Sequence, residues 1–260
     1  MSTTRSRARA QPAVARADWA KAALLLVAHG GEGGETVRRQ ARRLGRLAAF
    51  REVRAAVLSG EPSLASAVAG LRSTTVYVAP FFMSDGHFTR RVIPERLGLT
   101  GRVTAVGGRR LLYCRPLGLR PELSDLVLAR ARAAARKRGI APAAAALLLI
   151  GHGSANDPAS QAATERQAAR IRGRRVFGAT ATAYLEQEPR LARVAAGLSA
   201  PAIAVGLFAG EGLHAGVDVP ALLAAAAATD IHYLGAIGTD PAIAHLIART
   251  VADFDRGRRP

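Results

Sequence analysis

The sequence predicts an α/β protein made of two tandem, doubly wound domains, each with a central, mainly parallel sheet. Two observations carry this expectation: the chain repeats itself, and each copy alternates short apolar runs with amphipathic, helix-length stretches. His29-Gly30 returns as His152-Gly153, Glu61-Pro62 as Glu188-Pro189, His87 as His214 and Pro94 as Pro220, at offsets of 123, 127, 127 and 126. Further on, "YCRPLGLRPELSDLVLAR" aligns with "YLGAIGTDPAIAHLIART", which sets Gly118 on Gly238 and Pro121 on Pro241. Offsets that drift by a few residues while order is kept are the mark of a duplicated unit with small loop insertions.

The second copy shows the elements most plainly. "AAALLLI" reads as a first strand, "PASQAATERQAARI" as a helix and "VFGATATAYL" as a second strand. A short helix follows Pro189, then the strand "AIAVGLF", the helix "VPALLAAAAA", the strand "IHYL" and the helix "PAIAHLIARTVADF". Strands separated by helical stretches need crossover connections, so the sheets are expected to be parallel and covered on both faces. The expected boundaries are a disordered basic tail over 1–20, one domain over 21–140 and a second over 141–260.

The chain of 260 residues carries 37 Lys and Arg against 19 Asp and Glu, a net charge of +18. Such an excess suits a polyanionic partner. The arginines, however, are spread along helix patterns such as "ETVRRQARRLGRL", and helix-turn-helix, zinc-finger and aromatic RNA-platform signatures are missing. A small, multiply carboxylated ligand uses the charge as well as nucleic acid would, and no nucleic-acid partner is expected. No apolar run reaches the roughly 18 residues of a membrane helix. Cys114 is the single cysteine, which excludes disulfides, thiolate zinc sites and iron–sulfur clusters held by this chain alone and fits a reducing cytoplasm.

In parallel sheets ligands bind beyond the carboxyl ends of the strands. His29 and His152 end the first strand of each copy, and His87 and His214 follow "TVYVAPFF" and "AIAVGLF". Each pair is expected to converge at one rim. A Walker phosphate loop fails, because neither Lys21 nor Lys137 follows a glycine. "HGG" at 29–31 is like an esterase oxyanion loop, but no G-x-S-x-G elbow supplies a nucleophile. "GEGLHA" at 210–215 fits a loose dinucleotide fingerprint, yet Asp230 precedes its strand where the ribose-binding acid should end one. What remains is paired imidazoles facing a crevice. Neutral imidazole ligates cobalt, iron and nickel and takes a proton near neutral pH.

Taken together, "LLLIGHGS", "AYLEQEPRL", "AIAVGLFAGEGLHAGVDVP" and "YLGAIGTDP" resemble the sirohydrochlorin chelatase family, the class II cobalt and iron chelatases of cobalamin and sirohaem synthesis. The first half resembles it through "LLLVAHGG", "AVLSGEPSL", "VYVAPFFMSDGHFTRRVIP" and "RPLGLRPEL". The resemblance implies two lobes facing across a cleft, a monomer with pseudo-symmetric halves, and ATP-independent insertion of Co²⁺, Fe²⁺ or Ni²⁺ into a tetrapyrrole. It implies no nucleotide cofactor; the divalent metal is a substrate. By motif position it implies His29, His87, His152 and His214 as metal ligands and proton acceptors, with Glu186 as a displaced match to the family glutamate. Arg90 and Arg91 are candidate contacts for the macrocycle carboxylates. The first half departs from the pattern, with "VLS" in place of an acidic element, one extra residue between His87 and Pro94, and Gly31 where the family often has Ser. The better-kept motifs favour the second half. A non-catalytic tetrapyrrole or metal carrier of the same fold is the alternative.

Overall fold

The computed structural model describes residues 18–31, 33–198, 201–226 and 230–257; most of the expected basic tail lies outside them. Among the described residues nine strands form two sheets. The first holds β1 (Ala23–Gly30), β2 (Glu52–Ser59), β3 (Thr75–Pro80), β4 (Val103–Val106) and β5 (Arg109–Tyr113) in the order β2-β1-β3-β5-β4. The second holds β6 (Ala146–Gly151), β7 (Ala179–Tyr184), β8 (Ala202–Gly206) and β9 (Ile231–Ala236) in the order β7-β6-β8-β9. Every pairing is parallel except that of β4 with β5, as the alternation of apolar and amphipathic segments requires. The hairpin of β4 and β5 turns at Gly107-Gly108, both at positive φ (56° and 70°), the conformation glycine adopts without steric penalty. The repeat did not foretell it, because the second copy has no counterpart.

The helices are α1 (Gly33–Arg46), α2 (Leu64–Ala69), α3 (Ile93–Leu97), α4 (Glu122–Lys137), α5 (Ala159–Gly173), α6 (Leu191–Ala196), α7 (Val219–Ala225) and α8 (Ile243–Asp255). The apolar runs of β1 and β6 are buried on both faces, which is why they read as unbroken hydrophobic stretches rather than alternating ones. Leu25, Val27, Val76 and Val78 pack outward with Leu64 of α2 and Ile93 of α3. Leu148, Ile150 and Ala204 do the same with Leu191 of α6 and Val219 of α7. The inward faces of both sheets share one core with α1, α4, α5 and α8, among them Leu24, Leu26, Val37, Val127, Leu147, Ile171, Val205 and Ile247.

That shared core comes from an exchange. The terminal helix of each repeat lies over the sheet of the other: α4 packs on β8 and α5, and α8 packs on β3 and α1. Polar contacts pin both crossings. Trp19 Nε1 and the Tyr77 hydroxyl donate to Asp255 of α8 at 2.7 and 2.6 Å. Burial, then the hydrogen bond to Asp255, pushes the Tyr77 phenol well above its ordinary pKa. Across the pseudo-twofold, Arg130 of α4 donates to the carbonyls of Leu234 and Ala236 in β9. The buried Gln40 amide donates to the carbonyls of Gly238 and Asp240, and the buried Gln167 amide mirrors it on Gly118 and Arg120.

Asp253 on α8 is held below the usual carboxylate range. Its burial alone would raise the pKa, but the hydrogen bonds and charges of Arg120 and Arg256 outweigh that. A carboxyl group whose pKa is lower folded than unfolded stabilises the fold fully above its unfolded value, near 3.9, and loses that contribution as pH falls through the folded value. Asp253→Asn is therefore expected to lower Tm at pH 7 and to flatten the loss of Tm below about pH 4, measured by thermal melts across that range.

Candidate functional site

The site forms where β1, β3, β6 and β8 end and the following loops face one another. They enclose an open cavity of about 640 Å³ lined from both lobes, by His29, Phe82 and Phe88 on one side and His152, Glu186 and His214 on the other. His152 leaves β6 just past Gly151, where an added Cβ would lie 2.6 Å from Thr164 Oγ1. Gly153 follows at φ +79°. His214 opens a π-helical turn, His214–Asp218, that runs into α7; such turns are frequent at functional sites.

The two rings meet edge to face, with centroids 4.4 Å apart at 83°, and their Nε2 atoms are 3.1 Å apart. His152 Nδ1 lies 2.8 Å from the Gly153 carbonyl, and His214 Nδ1 lies 2.8 Å from Asp218 Oδ2. Both partners can only accept, so both Nδ1 atoms carry hydrogen. When neutral, each ring then turns a bare lone pair toward the same point. Two lone pairs at that separation repel each other unless a proton or metal cation lies between them. Glu186 Oε1 stands 3.6 Å from His152 Nε2, an outlying carboxylate beside the pair. Among the described residues no group of three His, Cys, Asp or Glu side chains forms a closed metal cage. An open pair suits an ion that is taken up and given away.

Asp218 was not singled out from the sequence. The signal was there, since an acid four residues after a histidine shares its helix face.

The first lobe is built differently at the same place. Val78 pairs beside Leu25 as Ala204 pairs beside Leu148, an offset of 126 on this strand, and the offset is still 126 at Pro94 and Pro220. The π-helical turn Phe88–Val92 matches His214–Asp218 at that same offset. Phe88, not His87, therefore stands where His214 stands, and His87 falls on Leu213; this corrects the expected pairing of His87 with His214. The geometry agrees, for His29 meets Phe88 edge to face at 4.6 Å and 84°, as His152 meets His214. Val92 replaces Asp218. Ser59 replaces Glu186, because the bridges Val57 to Ser63 and Tyr184 to Arg190 put Val57 on Tyr184. His29 alone keeps its counterpart. His87 is exposed, its ring 5.6 Å from that of Phe88, and its backbone N–H reaches Asp157 at 3.3 Å.

Arg90 and Arg91 do not line the cavity. They are exposed and pair with Asp85 and Glu95. His232 lies beside Arg138 at 2.6 Å, away from the cleft, and His245 is exposed on α8.

Two mainly parallel sheets with an open imidazole pair at the strand ends define a two-lobed protein of the chelatase type. The profile of the CbiX family matches residues 23–134 and again 146–254, so the chain belongs to this family of sirohydrochlorin chelatases, with both copies in one polypeptide. A probable sirohydrochlorin cobaltochelatase of Halobacterium salinarum is 28% identical over 89% of this chain and 91% of its own. Among solved structures, CbiX, described as the terminal enzyme of siroheme biosynthesis in denitrifying bacteria, is 30% identical with a TM-score of 0.73, over 88% of this chain and 97% of that one. A multi-domain protein of Deinococcus radiodurans with structural similarity to chelatases is 31% identical with a TM-score of 0.77; the match covers 90% of this chain and 55% of that one. SirB of Bacillus subtilis, solved with Fe³⁺, shares the fold at a TM-score of 0.73 and 18% identity, over 90% and 95% of the two chains. No described helix is long and apolar enough to cross a membrane.

Proposed function

We propose that this protein inserts a divalent metal, Co²⁺ or Fe²⁺ with Ni²⁺ as a further candidate, into sirohydrochlorin or a related tetrapyrrole without ATP, and that the second lobe carries the metal. The observation that supports this reading is the convergence of His152 and His214 through Nε2 atoms 3.1 Å apart. The relatives named as a cobaltochelatase and as a siroheme enzyme support the substrate class.

His152 and His214 hold the incoming ion through their Nε2 lone pairs, while Asp218 and the Gly153 carbonyl fix both rings by their Nδ1 hydrogens. Glu186 balances charge beside them. Two pyrrole N–H protons leave as the dication enters, so the ring's charge is unchanged by the exchange. The imidazoles, once the ion has moved on, are free to accept those protons. The first lobe supplies the opposing wall, where Phe82, Phe88 and His29 offer aromatic faces to a conjugated ring. Because both lobes lie in one chain, a monomer suffices, and the reading is of a cytoplasmic enzyme.

The test is anaerobic incubation with sirohydrochlorin and each of Co²⁺, Fe²⁺ and Ni²⁺, following the absorption of the macrocycle. Acceleration over the spontaneous rate with at least one ion is expected. Binding of the macrocycle with no acceleration by any ion would make the protein a carrier.

A further inference from the structure

A second cavity, of about 340 Å³, opens away from the histidines, where α8 of the second repeat crosses onto the first lobe. Five guanidinium groups line it, those of Arg102, Arg115, Arg120, Arg249 and Arg256, against two carboxylates, Glu122 and Asp253. Both carboxylates are in ion pairs, although Glu122 Oε2 is buried with no hydrogen-bond partner of its own. Asp253 pairs with Arg120 and Arg256, and Glu122 pairs with Arg120 at 2.6 Å and Arg249 at 3.3 Å. Arg120 is 5% exposed and its Nε has no hydrogen-bond partner. Among the described residues Arg115 has no carboxylate within ion-pair reach, and Arg102 instead lies 4.6 Å above the ring of Phe254. The excess is three positive charges in a recess whose other walls are Pro116, Leu119 and Phe254. Apolar walls concentrate such a field, and guanidinium forks match carboxylate and phosphate oxygens.

The fold does not require this cluster. At the offset of 120 that relates the two ends, Arg115, Arg120 and Glu122 fall on Gly235, Asp240 and Ala242, while Arg249 and Asp253 fall on Ala129 and Ala133. The second lobe has the same helix crossing without the excess of positive charge, since Asp240 stands where Arg120 does and only Arg256 falls on another arginine, Arg136. The recess also backs onto the cleft. Gly118, in the loop that follows Arg115, donates to the Phe82 carbonyl at 2.9 Å, and an added Cβ there would overlap the Met83 carbonyl.

We propose that this recess is a second binding site, for a small oxyanion carrying two or more negative charges, either a phosphate group or a polycarboxylate. The anion would sit between Arg102 and Arg115, the two guanidiniums that lack carboxylate partners, with the buried Arg120 behind them. An anion held there by three arginines of the first repeat, in a recess that α8 closes, stabilises the folded chain by mass action.

The experiment is thermal melting of the full chain titrated with inorganic phosphate or with citrate, against chloride at the same ionic strength. A saturable rise in Tm is expected with phosphate or citrate and not with chloride. Arg102→Gln/Arg115→Gln should fold normally, since both side chains are exposed, and weaken the apparent Kd by at least about tenfold. His152→Ala/His214→Ala should keep the wild-type response. A stronger response to citrate assigns a polycarboxylate, and a stronger response to phosphate assigns a phosphate ester. A response no greater than with chloride, one unchanged in the arginine variant, or one lost in the histidine variant would overturn the proposal.

Discussion

Replacing His152 or His214 by alanine is expected to slow metal insertion by about 10²- to 10⁴-fold, the range spanned by loss of a positioned proton-transfer group, while His87→Ala leaves the rate nearly unchanged. The difference follows from which imidazoles meet. His152 and His214 share one point through lone pairs aimed by Asp218 and the Gly153 carbonyl. His87 sits one residue off the matching place, on the cavity wall with its ring against Phe88, while His29 also meets Phe88. His29 keeps its place but faces a phenyl ring where a second ligand would be, so His29→Ala is expected to raise KM more than it lowers kcat. Single-turnover absorption measurements on the four alanine variants, with metal and macrocycle varied separately, distinguish these effects.

Ending the chain after Ala242 is expected to abolish folding of both lobes, although all nine strands would remain. The missing helix α8 buries Ile243, Leu246, Ile247, Val251 and Phe254, each less than a tenth exposed. At about 1.5–3 kcal/mol for each such side chain, the loss matches the whole stability of a typical domain, about 5–15 kcal/mol. Because α8 covers β3 of the first lobe beside α1, the first sheet would lose part of its inner cover as well. Circular dichroism and urea melts of the shortened chain should show no cooperative transition. A folded first lobe with a normal transition would mean that the exchange of α4 and α8 is not what holds the halves together.

Much of this architecture was legible because the duplicated unit is punctuated by residues with backbone duties. The histidine-glycine steps, the two Glu-Pro steps and Gly118 with Gly238 stand at matching turns, and the apolar runs of β1 and β6 declare strands buried on both faces. The exchange of α4 and α8 was not legible. An amphipathic helix announces which face is apolar but not which sheet it covers, and here the turns at Leu117–Leu119 and Ile237–Thr239, held by the buried Gln167 and Gln40 amides, lead each helix across.

The site shows the same division. That paired histidines lie at a strand-end rim could be read from the chain. Their true register could not be read from letters alone, since matching His87 to His214 aligns like with like. The change of offset from 127 at the histidines to 126 at the prolines was the one sign that the first lobe had shifted. Counting from β3 and β8 through the π-helical turns resolves it, and Phe88 takes the second ligand's place. Asp218 escaped for a related reason: its value lies in a hydrogen bond to His214 Nδ1, which sequence spacing permits but does not reveal.

The most direct measurement is an anaerobic Co²⁺ titration of the protein without macrocycle, by equilibrium dialysis, comparing wild type with His152→Ala/His214→Ala and with His29→Ala/His87→Ala. One ion per chain is expected in the wild type and in the His29/His87 variant, and none in the His152/His214 variant. Retention of the ion when His152 and His214 are gone, or its loss with His29 and His87, would contradict the assignment of the metal to the second lobe.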